Sequence, residues 1–212
     1  MHIPDGFISI PVATVTYVAS GGSLAYAVRR TNEKLGEKQV PLMGVMGAFI
    51  FAAQMLNFPV AGGTSGHLIG GALATILLGP WAGMLIMASV LVVQALIFQD
   101  GGLVALGANV FNMSVVACLV GHYAFTGLKR LLGEGTRSAL IGGFVAAWAS
   151  VVAAAIFCAL ELASSGTSAL AVVLPAMALI HILIGIGEGL VTVAVLAFLT
   201  VTRRDLLQLR PS

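Results

Sequence analysis

The second residue of the chain is a histidine. At a free amino terminus that position can offer one metal ion three nitrogens: the terminal amine of Met1, the main-chain nitrogen of His2 and its imidazole. Two small fused chelate rings result. A divalent ion late in the first transition row can displace the amide proton, and a nitrogen set of this kind favours the square-planar geometry of Ni(II) and Cu(II). One coordination position is then left over. His67 can fill it, because the preceding stretch Ala61-Gly62-Gly63-Thr64-Ser65-Gly66 is glycine-rich and flexible enough to reach inward. The plainer alternative is a disordered His2 with His67 beside a helix cap, and the residues alone leave both readings open.

Other candidates surround this pair. Asn57, Thr64, Ser65, Asp100, Asn109 and Asn112 place polar groups near the same expected membrane surface. Such residues can orient a metal-bound histidine through its other ring nitrogen, or simply serve loops and helix caps. Deeper in the apolar sequence lie Glu188 and His181, seven residues apart on roughly one helical face, open either to a shared ion or to helix-interface hydrogen bonds. His122 is expected at the cytoplasmic end of its segment in a structural role. Cys118 and Cys158 sit inside apolar runs without paired spacing, which argues for packing and against a thiolate site or disulfide.

The elements that must position these residues are membrane helices. Of 212 residues, 59% are hydrophobic and only 8% charged, against about 25% charged in a soluble domain. Apolar runs at 7–28, 41–58, 67–78, 81–98, 103–128, 139–162 and 171–201 predict an all-α bundle of seven transmembrane helices in one integral membrane domain, 1–212. The third run is the weak one, since twelve residues at 1.5 Å rise cover about 18 Å of an apolar layer about 30 Å thick. Gly79-Pro80 separates it from the fourth.

Charge gives the orientation. Arg29, Arg30, Lys34 and Lys38 follow the first run, Lys129, Arg130 and Arg137 the fifth, and Arg203, Arg204 and Arg210 the last, whereas the opposite loops hold no lysine or arginine. Seven crossings put all three clusters on the cytoplasmic side, with the N-terminus outside and the C-terminus inside. The net charge of +2 and the scatter of the basic residues speak against a nucleic-acid partner. The start lacks the positive segment of a cleaved signal peptide, so Met1 and His2 are expected in the mature chain. Gly44, Ala48 and Ala52 recur on one helical face and are expected to pack inside the bundle, with docking of a membrane partner as the alternative.

Three stretches carry a family resemblance: Met1-His2-Ile3-Pro4-Asp5-Gly6-Phe7; Gln54-Met55-Leu56-Asn57-Phe58-Pro59-Val60 running into Gly63-Thr64-Ser65-Gly66-His67-Leu68; and Asp100-Gly101-Gly102 followed by Ala105-Leu106-Gly107-Ala108-Asn109. Together they resemble the CbiM/NikM family, the substrate-binding components of energy-coupling-factor transporters for cobalt or nickel, with the likeness weakening after about residue 125. The resemblance implies ligation by the Met1 amine, by the main chain and ring of His2, and by His67. The metal-binding segment would then be 1–6 and the metal-site loop 58–67. It also implies an extra N-terminal helix relative to vitamin-binding relatives, Co²⁺ or Ni²⁺ as cargo without a catalytic cofactor, and a bacterial or archaeal cell membrane. Two ATP-binding cassette subunits, one coupling membrane subunit and sometimes a small accessory membrane protein are the implied partners.

No Walker-type Gly-x-x-x-x-Gly-Lys-Ser/Thr occurs, so ATP hydrolysis by that route is not expected of this chain. Two other classes remain on the residues alone. An intramembrane metalloenzyme would need a helical metal pair such as His-Glu-x-x-His, which is absent, and a self-sufficient channel or carrier would need no partner.

Overall fold

The structure is a computed structural model that describes residues 1–34, 36, 39–60 and 64–208. Lys38, Ala61, Gly62, Gly63 and Arg210, named above, lie outside the described residues, so the metal-site loop 58–67 is described only in part. Among the described residues eight helices follow in order: α1 (Ile10–Lys34), α2 (Val40–Gln54), α3 (Gly71–Leu78), α4 (Pro80–Ile97), α5 (Leu106–Leu132), α6 (Thr136–Ser164), α7 (Leu170–Thr202) and α8 (Arg204–Gln208). By length and composition α4, α5, α6 and α7 can each cross a membrane, while α2 is apolar but shorter. α5 carries a π-helical stretch at Phe111–Val116.

The all-α expectation needs one correction. Between α2 and α3 the chain forms an antiparallel hairpin of β1 (Phe58–Val60) and β2 (Thr64–Gly66), with Pro59 opposite Ser65. The second run therefore ends as helix at Gln54 and not at Phe58. The third run is shorter still. His67 to Gly70 is coil, and helix begins only at Gly71, after Gly70 takes φ +83°. Any side chain there would be strained and would bring its Cβ 2.7 Å from Ile50 Cγ1. All eight residues of α3 are buried. Irregular backbone at this depth is tolerable where protein surrounds it, because no lipid faces the open N–H and C=O groups.

α6 and α7 pack along their length. The buried face of α6 is built from small residues, Gly142, Gly143, Ala146, Ala147, Ser150, Ala154 and Ala155 among them, so the backbones approach closely. α3 packs against α4, α5 and α6, and α1 against α4 and α5. The small-residue stripe of α2 departs from expectation: Gly44, Ala48 and Ala52 are exposed, and the helix buries Met46, Ile50 and Gln54 instead. The apolar positions of α2 run all round it, so composition could not say which face turns inward. Cys118 and Cys158 are buried free thiols, as packing residues should be.

Candidate metal centre

Residues 1–3 enter the bundle as coil. Met1 and Ile3 are fully buried and His2 is 4% exposed, which removes the disordered-terminus alternative. Asn109 of α5 grips both faces of Ile3. Its Oδ1 accepts from the Ile3 N–H at 2.8 Å and its Nδ2 donates to the Ile3 carbonyl at 3.1 Å, where Gly102 N–H also donates at 2.9 Å. An amide side chain thus supplies what a neighbouring strand would. Two residues on, the Asp5 carboxylate accepts from the N–H groups of Leu103 (3.0 Å), Val104 (2.7 Å) and Ala105 (3.4 Å). These donors precede α5 and have no partner within the helix, and a carboxylate there also meets the positive end of the helix dipole. Gly101 must lack a side chain: with φ +95°, a Cβ would stand 2.9 Å from Asn109 Nδ2 and 3.3 Å from the His2 ring.

The arm so held meets the hairpin. The Met1 amine donates to the Ser65 carbonyl and, at 3.1 Å, to the Ser65 hydroxyl, which the His2 N–H also reaches at 3.3 Å. The His2 and His67 rings stack with centroids 4.6 Å apart and planes 29° from parallel. Each ring has one nitrogen engaged. His2 Nε2 stands 3.0 Å from Gln94 Oε1, an acceptor, so that nitrogen carries the proton. His67 Nδ1 stands 2.7 Å from the Leu68 carbonyl and is likewise the donor. The other two nitrogens, His2 Nδ1 and His67 Nε2, are buried lone pairs with no hydrogen-bond partner in the protein. His2 Nδ1 also lies 3.4 Å from Asp100 Oδ1.

Burial keeps these groups uncharged. It lowers the Met1 amine from 8.0 to about 5. His2 falls to about 3, through burial first and then the nearby amine, against the pull of Gln94. At neutral pH the amine and the His2 ring are free bases, the form a metal ion requires. Burial raises the half-buried Asp100, while the amine and the Asn57 amide oppose the rise.

Of the residues singled out from sequence, Met1, His2 and His67 come together with Ser65 and Asp100 around them. Asn57 reaches the cluster only through Asp100, at 3.2 Å, and Asn109 acts on the arm and not on His67. The Thr64 side chain lies outside what is described. Asn112 does not belong here: its Nδ2 donates to Glu161 at 2.6 Å, within the bundle. Glu188 and His181 do not pair. His181 Nδ1 bonds to the Met177 carbonyl one turn back, and Glu188 accepts from main-chain N–H groups. His122 is half-buried, with its ring against Tyr123. Sequence reasoning gave no role to Asp5 or Gln94. Gln94 had a visible signal, a polar amide inside an apolar run; the donors Asp5 meets lie about 100 residues away and had none.

Among the described residues no group of three or more His, Cys, Asp and Glu side chains could hold a metal. A metal at this cluster therefore depends on the terminal and main-chain nitrogens as well as the two rings. Long apolar helices around a buried polar cluster define a multi-pass membrane protein. The chain belongs to the CbiM family, whose description is a cobalt uptake substrate-specific transmembrane region and whose model matches residues 2–206. The match carries the family likeness through the C-terminal helices, well past residue 125 where the motifs fade. A protein of Archaeoglobus fulgidus, provisionally named as the fused nickel transport protein NikMN, is 44% identical over 98% of this chain and 68% of its own length. The cobalt transport protein CbiM 1 of Pelobacter propionicus is 35% identical over 97% of this chain and 94% of its own. The crystal structure of a transition metal transporter superposes with a TM-score of 0.86 at 36% identity, covering 94% of this chain and 92% of that one. This chain is accordingly a CbiM-type cobalt/nickel transport component.

Proposed function

We propose that the chain is the substrate-capturing membrane component of an energy-coupling-factor transporter for Co²⁺ or Ni²⁺, with the Met1 amine, the His2 main-chain nitrogen, His2 Nδ1 and His67 Nε2 as the four ligands. The observation that carries this reading is the pair of buried imidazole lone pairs beside two main-chain nitrogens. Nδ1 is the ring atom that closes a six-membered chelate with the His2 main-chain nitrogen, and it is the one that Gln94 leaves free. A cation would also resolve the approach of the Asp100 carboxylate to an uncharged ring. Four nitrogens in a plane suit Ni(II), and Co²⁺ accepts the same donor types.

The helices carry the rest of the reading. With α1, α2 and the coil-plus-α3 segment as crossings beside α4 to α7, the chain crosses seven times. Arg29 and Arg30, Lys129, Arg130 and Arg137, and Arg203 then share the cytoplasmic side, and the metal cluster lies toward the outer side. Accumulation against a gradient needs an energy source, here two ATP-binding cassette subunits working through a coupling membrane subunit, sometimes with a small accessory membrane protein.

The test is to add one residue before Met1, which converts the terminal amine to an amide. Nickel and cobalt binding to the purified protein, followed by calorimetry, should fall below detection. Unchanged affinity would remove the ligand set.

A further inference from the structure

Glu188 lies within the long apolar helix α7, where a carboxylate is costly unless fully satisfied. It is 3% exposed, and both oxygens are engaged: Oε2 accepts from the Ile69 N–H at 2.5 Å and Oε1 from the Gly70 N–H at 2.9 Å. Those two peptides immediately precede α3, whose first N–H groups have no partner within the helix, so the carboxyl group also sits at the positive end of the helix dipole. From the other side of the segment, Gln54 at the end of α2 donates to the Ile69 carbonyl at 2.7 Å. Residues 67–70 form neither helix nor strand, so their place in the bundle is set by such side-chain bonds. The His67 ring is in turn tied to this backbone through the Leu68 carbonyl at 2.7 Å. The chain of contacts runs from the α7 carboxylate to two peptide N–H groups, and from that backbone to the imidazole.

We propose that Glu188 is a positioning residue for His67. Its carboxylate clamps the Ile69–Gly70 backbone between α7 and α2 and thereby sets where the His67 Nε2 stands relative to the N-terminal nitrogens. Gln54 is the second, neutral hold on the same segment. Glu188 makes two bonds to the segment and Gln54 one, so Glu188 carries the larger share. This rests on His67 being a ligand, as proposed above.

The experiment titrates Ni²⁺ into the purified full chain with an unextended N-terminus, following affinity and the visible absorption of the bound ion. It compares wild type with Glu188→Gln, Gln54→Leu and His67→Ala. Glu188→Gln keeps size and one acceptor but turns an NH₂ group toward the second peptide N–H. It should weaken binding about 10- to 100-fold, the range for residues that orient a metal ligand, and shift the nickel absorption band. Gln54→Leu should act in the same direction with a smaller loss, and it provides the reading if Glu188→Gln does not fold. His67→Ala should abolish the wild-type band. If His67→Ala loses the band while Glu188→Gln and Gln54→Leu keep wild-type affinity and spectrum, the positioning role is overturned and the ligand set stands. A Glu188→Gln protein that is less heat-stable without metal, yet binds nickel with the wild-type band and affinity, overturns it too. If His67→Ala binds nickel as wild type does, the ligand set fails, and the role of Glu188 with it.

Discussion

The two halves of the candidate metal centre are held in different ways. The N-terminal arm would give three of the four nitrogens on consecutive atoms of one chain, and it hangs on α4 and α5 through Gln94, Asn109 and Asp5. The His67 segment would give one nitrogen and hangs between α2 and α7 through Gln54 and Glu188. Ser65 joins the halves by accepting from the Met1 amine. The asymmetry suggests a route to release. With the ligand set proposed above, chelation would hold the ion to the arm, so separating α2 and α7 from α4 and α5 would remove the fourth ligand first and leave a weaker three-nitrogen site.

The strongest challenge to that division is Asn109→Leu. It leaves the buried Ile3 N–H without its acceptor, at about 1–3 kcal/mol for a group left unsatisfied, removes one of the two donors to the Ile3 carbonyl, and frees the arm that would carry three donors. Nickel affinity by calorimetry should fall more than about 100-fold, beyond the range for a residue that only orients one ligand. A smaller loss than for Glu188→Gln would reverse the ranking of the two halves.

Gln94→Leu is expected to cost about 10-fold. Without the Oε1 acceptor the His2 proton is no longer confined to Nε2, and Nδ1 is a free lone pair for only part of the time. Nitrogen NMR of the His2 ring in the metal-free protein should show mixed tautomers where the wild type shows one.

Coupling between the halves can be measured directly. If arm and His67 segment are separate supports, the binding losses of Asp5→Ala and Gln54→Leu should add within about 0.5 kcal/mol in the double variant. A larger interaction energy would mean that they move as one body. Asp5→Ala alone should lower stability by about 1 kcal/mol, as loss of a helix-capping carboxylate does, read from the thermal midpoint.

The smallest effect is on proton release. Because burial lowers the Met1 amine to about 5 and His2 to about 3, both are free bases from pH 6 to 8, and binding then displaces only the His2 amide proton. The logarithm of apparent nickel affinity should rise about one unit per pH unit in that window and steepen below about pH 5, where the amine must also lose a proton. The same lowering makes the metal-free fold more stable as pH rises from about 5 to 8, because the unfolded amine still binds a proton there. A slope of two between pH 6 and 7 would show that the arm is solvated.

The long apolar helices were legible because their period and composition are local. The break at Gly79-Pro80 was legible too, since proline acts on its own backbone: α3 ends at Leu78 and α4 starts at Pro80. The extent of α3 was not. Residues 67–70 are as apolar as a helix start, and what keeps them out of the helix is Gly70 in a left-handed conformation with Glu188 taking the peptide N–H groups from 118 and 119 residues away. The same limit applied to the α2 stripe, whose inward face depends on what lies beside it.

The sequence by itself determined the membrane class and the family motifs, and it offered Met1, His2 and His67 as candidate ligands, because these depend on residue type and local pattern. Only the tertiary structure decided which ring nitrogens keep free lone pairs, that Asn109 and Asp5 hold the arm, that Asn112 pairs with Glu161, and that Glu188 reaches the His67 segment. Those outcomes are set by hydrogen bonds between groups far apart in the chain, whose partners are fixed only once the helices have packed.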